Sequence, residues 1–351
     1  AWLRGVRRRR RAASAPEAAE GALLDLRGLT VTLGEGPDAT PLVRDVAFTL
    51  RPGETLALVG ESGSGKTLSG LSIMGLLPAA LSVASGVAAY RGRDGATRDL
   101  LALPERESRA LRGGEIAMVF QDATAALSPA MRVGDQVAEA ILAHRPMARE
   151  AARAEAVDLL RRVGLPDAER RARAWPHELS GGQRQRAMIA VAVANAPRLL
   201  IADEPTTALD PTIQAQILTL LDDLKTADGA MGMIFVTHNL AVVAEIADRI
   251  CVMYAGEVVE QGPVDAVFSA PRHPYTAALL ASVPEGDSAR LEAIPGVVPA
   301  PQELPEGCRF APRCAHARAI CRRGHPALEA EAGRAVRCVR WRELACATEP
   351  A

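Results

Sequence analysis

Short apolar runs separated by turn residues begin after about residue 22. They predict strands at residues 23–26, 31–33, 46–50 and 56–59. Further along the chain, the continuous apolar runs at 199–202 and 233–236 are typical of parallel strands buried on both faces. A β-rich segment at 250–261 follows them. This order predicts an α/β fold built around a parallel core sheet.

Helical spacing of apolar residues appears between these strands. Helices are predicted at about 66–78, 131–143, 151–163 and 183–194. The segment from about 92 to 178 is rich in Arg, Glu and Ala, which favours a helical subdomain inserted into the core. Residues 68–90 are apolar over a length that could cross a membrane, but Pro78 and several serines interrupt them. We expect a buried helix there, and a subunit without a membrane span.

The two ends of the chain differ in character from this core. Residues 1–22 contain an unbroken arginine run at 7–11 and are expected to form a disordered basic tail. Alternatives are a segment attracted to anionic lipid, or, because the sequence begins at Ala1, the remnant of a fused permease. From about residue 271 the chain becomes rich in Pro, Arg and Cys. This predicts a C-terminal extension, which we place at residues 269–351, after a main domain at 23–268.

Length and charge limit the classes of function. With 351 residues the chain is long enough for a complete α/β core and additions to it. The formal net charge is −1, so overall electrostatics predict no nucleic-acid partner.

A glycine-rich octapeptide follows the strand predicted at 56–59. Glycines allow the backbone to approach phosphate closely, and the next helix directs its positive end at the same point. In such a loop the lysine neutralises the β- and γ-phosphates and the last hydroxyl binds Mg²⁺. The residues of this phosphate loop are Gly60, Glu61, Ser62, Gly63, Ser64, Gly65, Lys66 and Thr67. They predict binding of ATP with Mg²⁺.

Two acidic residues end the buried run at 199–202. Asp203 and Glu204 are adjacent, so their side chains point to opposite sides of the strand. One carboxylate can then face Mg²⁺ and the other an attacking water. His238 follows the run at 233–236; a single histidine in such a place is more often structural than catalytic.

A pentapeptide between the phosphate loop and these carboxylates indicates which family of phosphate-loop proteins the chain resembles. Its sequence is LSGGQ, and we call residues 179–183 the signature segment. With these motifs the chain, over residues 23–345, resembles the ATPase subunits of ABC transporters. The resemblance implies a P-loop NTPase cassette with a parallel core sheet, an antiparallel β subdomain, the helical subdomain at about 92–178 and the Cys-rich extension.

The resemblance also implies roles for individual residues. Asp203 would hold Mg²⁺, Glu204 would polarise the hydrolytic water, and His238 would contact the γ-phosphate. Gln121 would sense Mg²⁺ and the γ-phosphate, and Asp210 would lie at a dimer seam. The residues expected to close over ATP bound to a second cassette are Ser180, Gly181, Gly182 and Gln183.

The chain departs from the family pattern at the adenine-stacking position. Leu33 stands where the family usually has an aromatic side chain. A stacked ring contributes about 1–3 kcal/mol, so we expect weaker adenine recognition at Leu33. Ala123 replaces a common proline after Gln121-Asp122. Neither departure removes a catalytic group.

Further segments resemble one subfamily, the dipeptide, oligopeptide and nickel importer ATPases. They lie at residues 175–178, 184–186, 214–218, 253–256, 259–262 and 273–280. This implies a peptide importer, with nickel or another small solute as the alternative cargo. The implied partners are a second ATPase subunit (identical or a paralogue), two permease subunits and, indirectly, an extracytoplasmic solute-binding protein. The implied location is peripheral, at the cytoplasmic face of the cell membrane.

A function of another class is a non-transport ABC ATPase that acts on nucleic acid or on the ribosome. Such proteins usually carry tandem cassettes, long coiled-coil insertions or basic linkers. The sequence shows one cassette and none of these features.

Cysteines in the extension indicate a second site. The four residues with spacing C-x5-C-x6-C-x16-C are Cys308, Cys314, Cys321 and Cys338. Their grouping favours a metal over disulfides, and thiolates suit zinc or an iron–sulfur cluster. The paired C-x2-C common in zinc sites is absent. Resemblance to the extension of peptide importers implies a [4Fe–4S] cluster, while zinc and metal-free thiols remain alternatives.

Overall fold

The computed structural model describes residues 17–36, 38–207, 209–227, 231–282 and 294–346. The arginine run at 7–11, and with it most of the predicted tail, lies outside these residues. The strands are β1 (Leu24–Leu33), β2 (Thr40–Leu50), β3 (Thr55–Val59), β4 (Leu81–Arg91), β5 (Thr97–Asp99), β6 (Ile116–Val119), β7 (Leu199–Asp203), β8 (Gly232–Thr237), β9 (Arg249–Tyr254), β10 (Glu257–Pro263), β11 (Glu329–Glu331) and β12 (Arg334–Val336).

Helices connect and cover these strands. They are α1 (Lys66–Met74), α2 (Glu105–Leu111), α3 (Ala123–Ala126), α4 (Val133–Leu142), α5 (Arg149–Arg162), α6 (Ala168–Ala172), α7 (Gly181–Val193), α8 (Pro211–Ala227), α9 (Leu240–Ile246), α10 (Val264–Ser269), α11 (Pro274–Ala281) and α12 (Trp341–Cys346). In the described part of the chain no helix has the length and apolarity needed to cross a bilayer.

The larger sheet holds the core. Its strand order in the described chain is β11-β12-β10-β9-β3-β8-β7-β6, and the five strands from β9 to β6 run parallel. Every residue of β7 and β8 is buried, which confirms the prediction from their continuous apolar runs. The carboxyl ends of β3, β6, β7 and β8 therefore lie along one edge of the sheet.

A second, antiparallel sheet has the order β2-β1-β4-β5. The two strands predicted at 23–26 and 31–33 are one strand, β1, whose pairing with β2 shifts register after Leu26. Gly28 lies in that irregular stretch with φ +61°, so the apolar alternation breaks without ending the strand. The helix predicted at 66–78 is shorter than expected, because Gly75 adopts a left-handed conformation and ends α1 at Met74.

The helical subdomain begins later than the predicted residue 92. The strands β5 and β6 lie inside the segment 92–178, and β6 pairs in parallel with β7 as the edge of the core sheet. The prediction for 92–119 is therefore wrong in part. Average composition indicates the helix preference of a segment as a whole and does not reveal a short strand within it. The four apolar residues of β6 pair with β7 and are all buried. From α3 to α6 the segment is helical as expected.

The C-terminal extension continues the core sheet. β12 pairs antiparallel with β10, where Glu260 lies opposite Val336. Next to this junction the rings of Tyr254, Tyr275 and Phe310 pack together, with centroids 4.7–5.3 Å apart. The extension thus shares sheet and apolar core with the main domain.

His273 fixes the start of α11 within this junction. Its imidazole is 1% exposed, and Nδ1 accepts a hydrogen bond from the Tyr275 N–H at 3.0 Å. Burial lowers the pKa of the His273 imidazole from 6.5 to about 3. Below pH 6.5 the unfolded chain therefore binds more protons at this residue than the folded chain does, and stability is lost as pH falls.

We predict that acidification from about pH 7.5 to pH 5 removes roughly 2 kcal/mol more stability from the wild type than from His273→Asn. The Asn variant keeps a capping oxygen without a group that titrates in this range. Urea unfolding at the two pH values measures the difference. Equal losses of stability in the two proteins would contradict the assignment of this pH effect to His273.

Candidate active site

The phosphate loop leaves the carboxyl end of β3 and enters α1. Gly60, Gly63 and Gly65 have φ of +149°, +80° and +97°, a region that side chains other than glycine rarely adopt. A Cβ on Gly60 would lie 2.1 Å from the Met253 carbonyl oxygen. At the N-cap of α1, Gly65 makes no side-chain capping bond, so the first N–H groups of the helix stay free for an anion.

Lys66 lies across the loop. Its ammonium donates to the carbonyl oxygens of Gly60 at 2.8 Å and Glu61 at 3.0 Å, and to the Ser64 hydroxyl at 3.3 Å. Burial lowers the Lys66 pKa, while the nearby carboxylates of Glu204 and Asp203 oppose that shift. The ammonium is thus anchored where a phosphate held by the loop would meet it.

Thr67 and Asp203 come together as the sequence predicts. The Thr67 hydroxyl donates to Asp203 Oδ1 at 3.1 Å, across the edge formed by β3 and β7. Asp203 is 2% exposed, and burial raises its pKa against the hydrogen bond from Thr67. A hydroxyl and a carboxylate in contact are oxygen ligands of the kind Mg²⁺ prefers, so both residues fit a nucleotide-bound Mg²⁺.

Glu204 is held by a side chain of its own loop and by side chains from two other segments. It follows β7 with φ +46°, a left-handed conformation that is uncommon for residues other than glycine. Glu204 Oε2 accepts from Gln121 Nε2 at 3.1 Å and from the Thr207 hydroxyl at 2.8 Å, and Oε1 lies 3.1 Å from His238 Nδ1. Gln121, Glu204 and His238 follow the ends of β6, β7 and β8, so neighbouring parallel strands deliver them to one place.

The charge state of Glu204 follows from these contacts. Burial acts to raise its pKa, but hydrogen bonds from Thr207 and His238, with the positive charge of Lys66, bring it below its ordinary value. The carboxylate therefore stays ionised at neutral pH and can accept hydrogen bonds from a water.

No described hydrogen bond joins the signature segment to this cluster in the same chain. Ser180 caps α7: its hydroxyl accepts from the Gln183 N–H at 3.3 Å, and Gln183 Oε1 accepts from the Ser180 N–H at 3.1 Å. Ser180 and Gly181 are exposed, and Gly182 faces Ile213 of α8. Each side chain thus bonds the backbone N–H of the other residue.

Asp210 and Leu33 also occupy exposed positions. Asp210 caps the start of α8, where its Oδ1 accepts from the Ile213 N–H at 3.0 Å. Leu33 ends β1 and is 44% exposed, so its side chain is available to a ligand and gives no aromatic face. Ser62, the remaining residue of the phosphate loop, is also exposed.

Three residues that contribute to the site were not identified from the sequence. Thr207 holds Glu204, and its hydroxyl three positions after the glutamate is the signal that could have identified it. Tyr275 and Arg313 contact Glu61 of the phosphate loop from the extension, more than 200 residues away. No local sequence pattern predicts contacts between residues so far apart along the chain.

The four predicted cysteine ligands line one cavity of about 20 Å³ in the extension. Burial raises the pKa of Cys308 to about 11 and also raises that of Cys314 and Cys338, so these thiols are protonated near neutral pH. Within the described residues, no group of three or more His, Cys, Asp or Glu side chains is placed to hold one metal ion.

Comparison with known families agrees with this geometry. A family model described as ABC transporter matches residues 43–207. A second model, described as the oligopeptide/dipeptide transporter C-terminal region, matches residues 259–321.

Curated relatives match over most of their length. A peptide import ATP-binding protein of Brucella melitensis biotype 1 is 51% identical over 333 residues, which cover 92% of this chain and 98% of the relative. A peptide import ATP-binding protein of Brucella abortus (strain 2308) is 47% identical over 318 residues, which cover 90% and 94%.

Solved structures match the cassette. The dimeric ATP-binding cassette MJ0796, in a post-hydrolysis state bound to ADP and Pi, is 30% identical with a TM-score of 0.60 and covers 69% of this chain and 98% of its own. The protein cbiO1 from Clostridium perfringens, part of the ABC transporter complex cbiONQ, is 26% identical with a TM-score of 0.59, covering 71% and 92%. The chain therefore belongs to the ABC transporter ATP-binding proteins, in the group that carries the oligopeptide/dipeptide transporter C-terminal region.

Proposed function

We propose that this ABC ATPase is the motor subunit of a peptide importer and that the cluster around Glu204 hydrolyses ATP. The observation that carries the proposal is the ionised Glu204 carboxylate, held by Gln121, Thr207 and His238 beside the Thr67–Asp203 pair. Phosphoryl transfer depends mainly on positioning and charge stabilisation, and this arrangement supplies both.

Each residue has a role in that reaction. The N–H groups of residues 60–67 and the Lys66 ammonium bind the phosphates of ATP. Thr67 and Asp203 would hold Mg²⁺, which when bound would neutralise phosphate charge. Glu204 accepts a hydrogen bond from the attacking water and orients it in line with the γ-phosphate. His238 contacts the γ-phosphate, and Gln121 joins this cluster to the helical subdomain.

A single copy leaves the outer side of the bound nucleotide open. The exposed Ser180 and Gly181 stand at the N-terminus of α7, where free N–H groups and the helix dipole suit an anion. In the described chain no hydrogen bond joins either residue to the Glu204 cluster. We propose that the signature segment of a second cassette, identical or a paralogue, closes over each ATP, with Asp210 at the seam.

The cargo and the partners follow from the subfamily. The relatives named peptide import ATP-binding proteins extend over both the cassette and the extension of this chain. We therefore propose di- or oligopeptide as the cargo, with nickel or another small solute as the alternative. Two permease subunits would dock on the helical subdomain at the cytoplasmic face of the membrane, and an extracytoplasmic solute-binding protein would deliver the cargo.

We predict that Glu204→Gln lowers kcat for ATP hydrolysis by a hundredfold or more, on the order expected for loss of a group that activates water. ATP binding should persist, because the loop and Lys66 are unchanged. The variant should accumulate as an ATP-bound dimer, alone or with its companion cassette, in light scattering. The exposed Glu245→Gln on α9 is the matched control. Normal turnover by Glu204→Gln would refute the role of Glu204.

We predict that ATPase activity rises when the chain is reconstituted in vesicles with its permease and a peptide-loaded binding protein. Coupling requires that closure of the cassettes be linked to the permease, so an empty binding protein should stimulate less. Stimulation by DNA or ribosomes, with none by the transport components, would instead support the non-transport alternative.

We propose further that the four cysteines of the extension hold a [4Fe–4S] cluster. Four thiols that line one cavity form the donor set such a cluster uses. The 20 Å³ cavity is close to the size of one water, so it must widen to admit a cluster. They must also lose their protons.

We predict about four iron atoms and acid-labile sulfide per chain after anaerobic purification, with a broad visible absorption. Cys314→Ser should remove them, whereas Cys251→Ala should not, because Cys251 is buried in β9 away from the cavity. Zinc without sulfide, or no metal at all, would overturn the cluster in favour of the respective alternative.

A further inference from the structure

The side chain of Glu61 connects the phosphate loop to the C-terminal extension. Arg313 donates through Nη1 to Glu61 Oε2 at 2.7 Å and through Nη2 to Oε1 at 3.0 Å. The Arg313 side chain is 5% exposed and that of Glu61 is 30% exposed, so water screens this two-point ion pair only in part. Arg313 is also placed against the Tyr254 ring, 5.7 Å from its centroid.

The backbone of Glu61 is held on both sides. Its N–H donates to the Tyr275 hydroxyl at 2.9 Å, and its carbonyl oxygen accepts from Lys66 Nζ at 3.0 Å. One residue therefore links two side chains of the extension to the lysine that meets the phosphates. A shift of Glu61 would move the carbonyl that anchors Lys66.

The groups that hold Glu61 are themselves rigid. Tyr275 is fully buried and packs its ring against Tyr254 and Phe310, with centroids 4.7 and 5.3 Å away. The imidazole of His273 fixes the first turn of the helix that carries Tyr275. Packing on all sides leaves the Tyr275 hydroxyl little freedom to follow a displaced loop.

A second contact reaches the other end of the loop. Arg309 lies 3.0 Å through Nε from Glu257 and donates to the Ala255 carbonyl oxygen. In the same turn, the Gly256 N–H donates to the Ser64 carbonyl oxygen at 3.0 Å. The extension thus supports the loop at Glu61 directly and at Ser64 through this turn.

We propose that Arg313 and Tyr275 are positioning residues for ATP, which hold the phosphate loop in its binding conformation through Glu61. The inference rests on the proposed function, because it concerns the same nucleotide site. Glycines make this loop conformationally free, so a loop ordered beforehand loses less entropy when it binds phosphate. The extension then acts on the affinity for ATP as well as on stability.

The test compares nucleotide affinity in Glu61→Gln, Arg313→Gln, Arg313→Lys and the Glu61→Gln/Arg313→Gln double variant. The probe is a fluorescent, non-hydrolysable ATP analogue with Mg²⁺. We expect Arg313→Gln to raise its Kd by about tenfold, which corresponds to about 1.4 kcal/mol. The double variant should be no weaker than the single ones, since both remove one interaction. Arg313→Lys should retain only part of the affinity that Arg313→Gln loses, because lysine cannot make the two-point contact.

A gentler variant separates positioning from folding. Tyr275→Phe keeps the packed ring and removes only the hydroxyl that accepts from Glu61. It should raise KM for ATP more than it lowers kcat, because the Glu204 cluster is untouched.

A matched control addresses simple loosening of the extension. Arg334 is buried like Arg313 and joins the extension to β10 through Glu260 Oε1 at 2.6 Å, without contact to the phosphate loop. Arg334→Gln should lower the melting temperature and leave the Kd of the analogue unchanged. The exposed Arg342→Gln serves as a second control for loss of charge.

Three results would overturn the inference: an unchanged Kd in Arg313→Gln and Tyr275→Phe, additive effects in the double variant, or an equal loss of affinity in Arg334→Gln. Failure of the wild type to bind the analogue would instead overturn the proposed function. The two failures are therefore distinguishable.

Discussion

Close approach of the backbone at the carboxyl edge of the parallel sheet is the constraint on which the site depends. Gly60 passes so near the Met253 carbonyl that no side chain fits, and this contact presses the phosphate loop against β9. With the loop in that position, Lys66 reaches its carbonyl anchors and Thr67 reaches Asp203. The core strands are buried on both faces, so this edge cannot shift without disturbing the packing of the whole domain.

The site uses burial and hydrogen bonding to give neighbouring carboxylates different properties. Asp203 is nearly inaccessible and its pKa is raised by burial, whereas Glu204 gains hydrogen bonds that lower its pKa. Glu204 also has a positive φ of +46°. A left-handed conformation is unusual for glutamate, and here the strain coincides with the residue assigned to water activation.

The extension is part of the cassette in physical terms. It adds β12 and β11 to the core sheet, contributes Phe310 to an aromatic cluster and contacts Glu61 through Arg313. Both Arg309 and Arg313 are neighbours in sequence of cysteines that line the buried cavity. The support of the phosphate loop and the cysteine site therefore occupy the same short segment.

The sequence alone determined the features that are local: the glycine loop with Lys66 and Thr67, the buried runs of β7 and β8, and the acidic pair at the end of β7. It did so because the periodicity of apolar residues, the chemistry of turns and the geometry of phosphate binding act over a few residues. Tertiary structure decided the rest. The length of α1, the strand β6 inside a segment of helical composition, Thr207 on Glu204, and Arg313 on Glu61 depend on partners brought together by folding. Sequence spacing carries no record of such long-range pairings, since they arise from packing of whole elements.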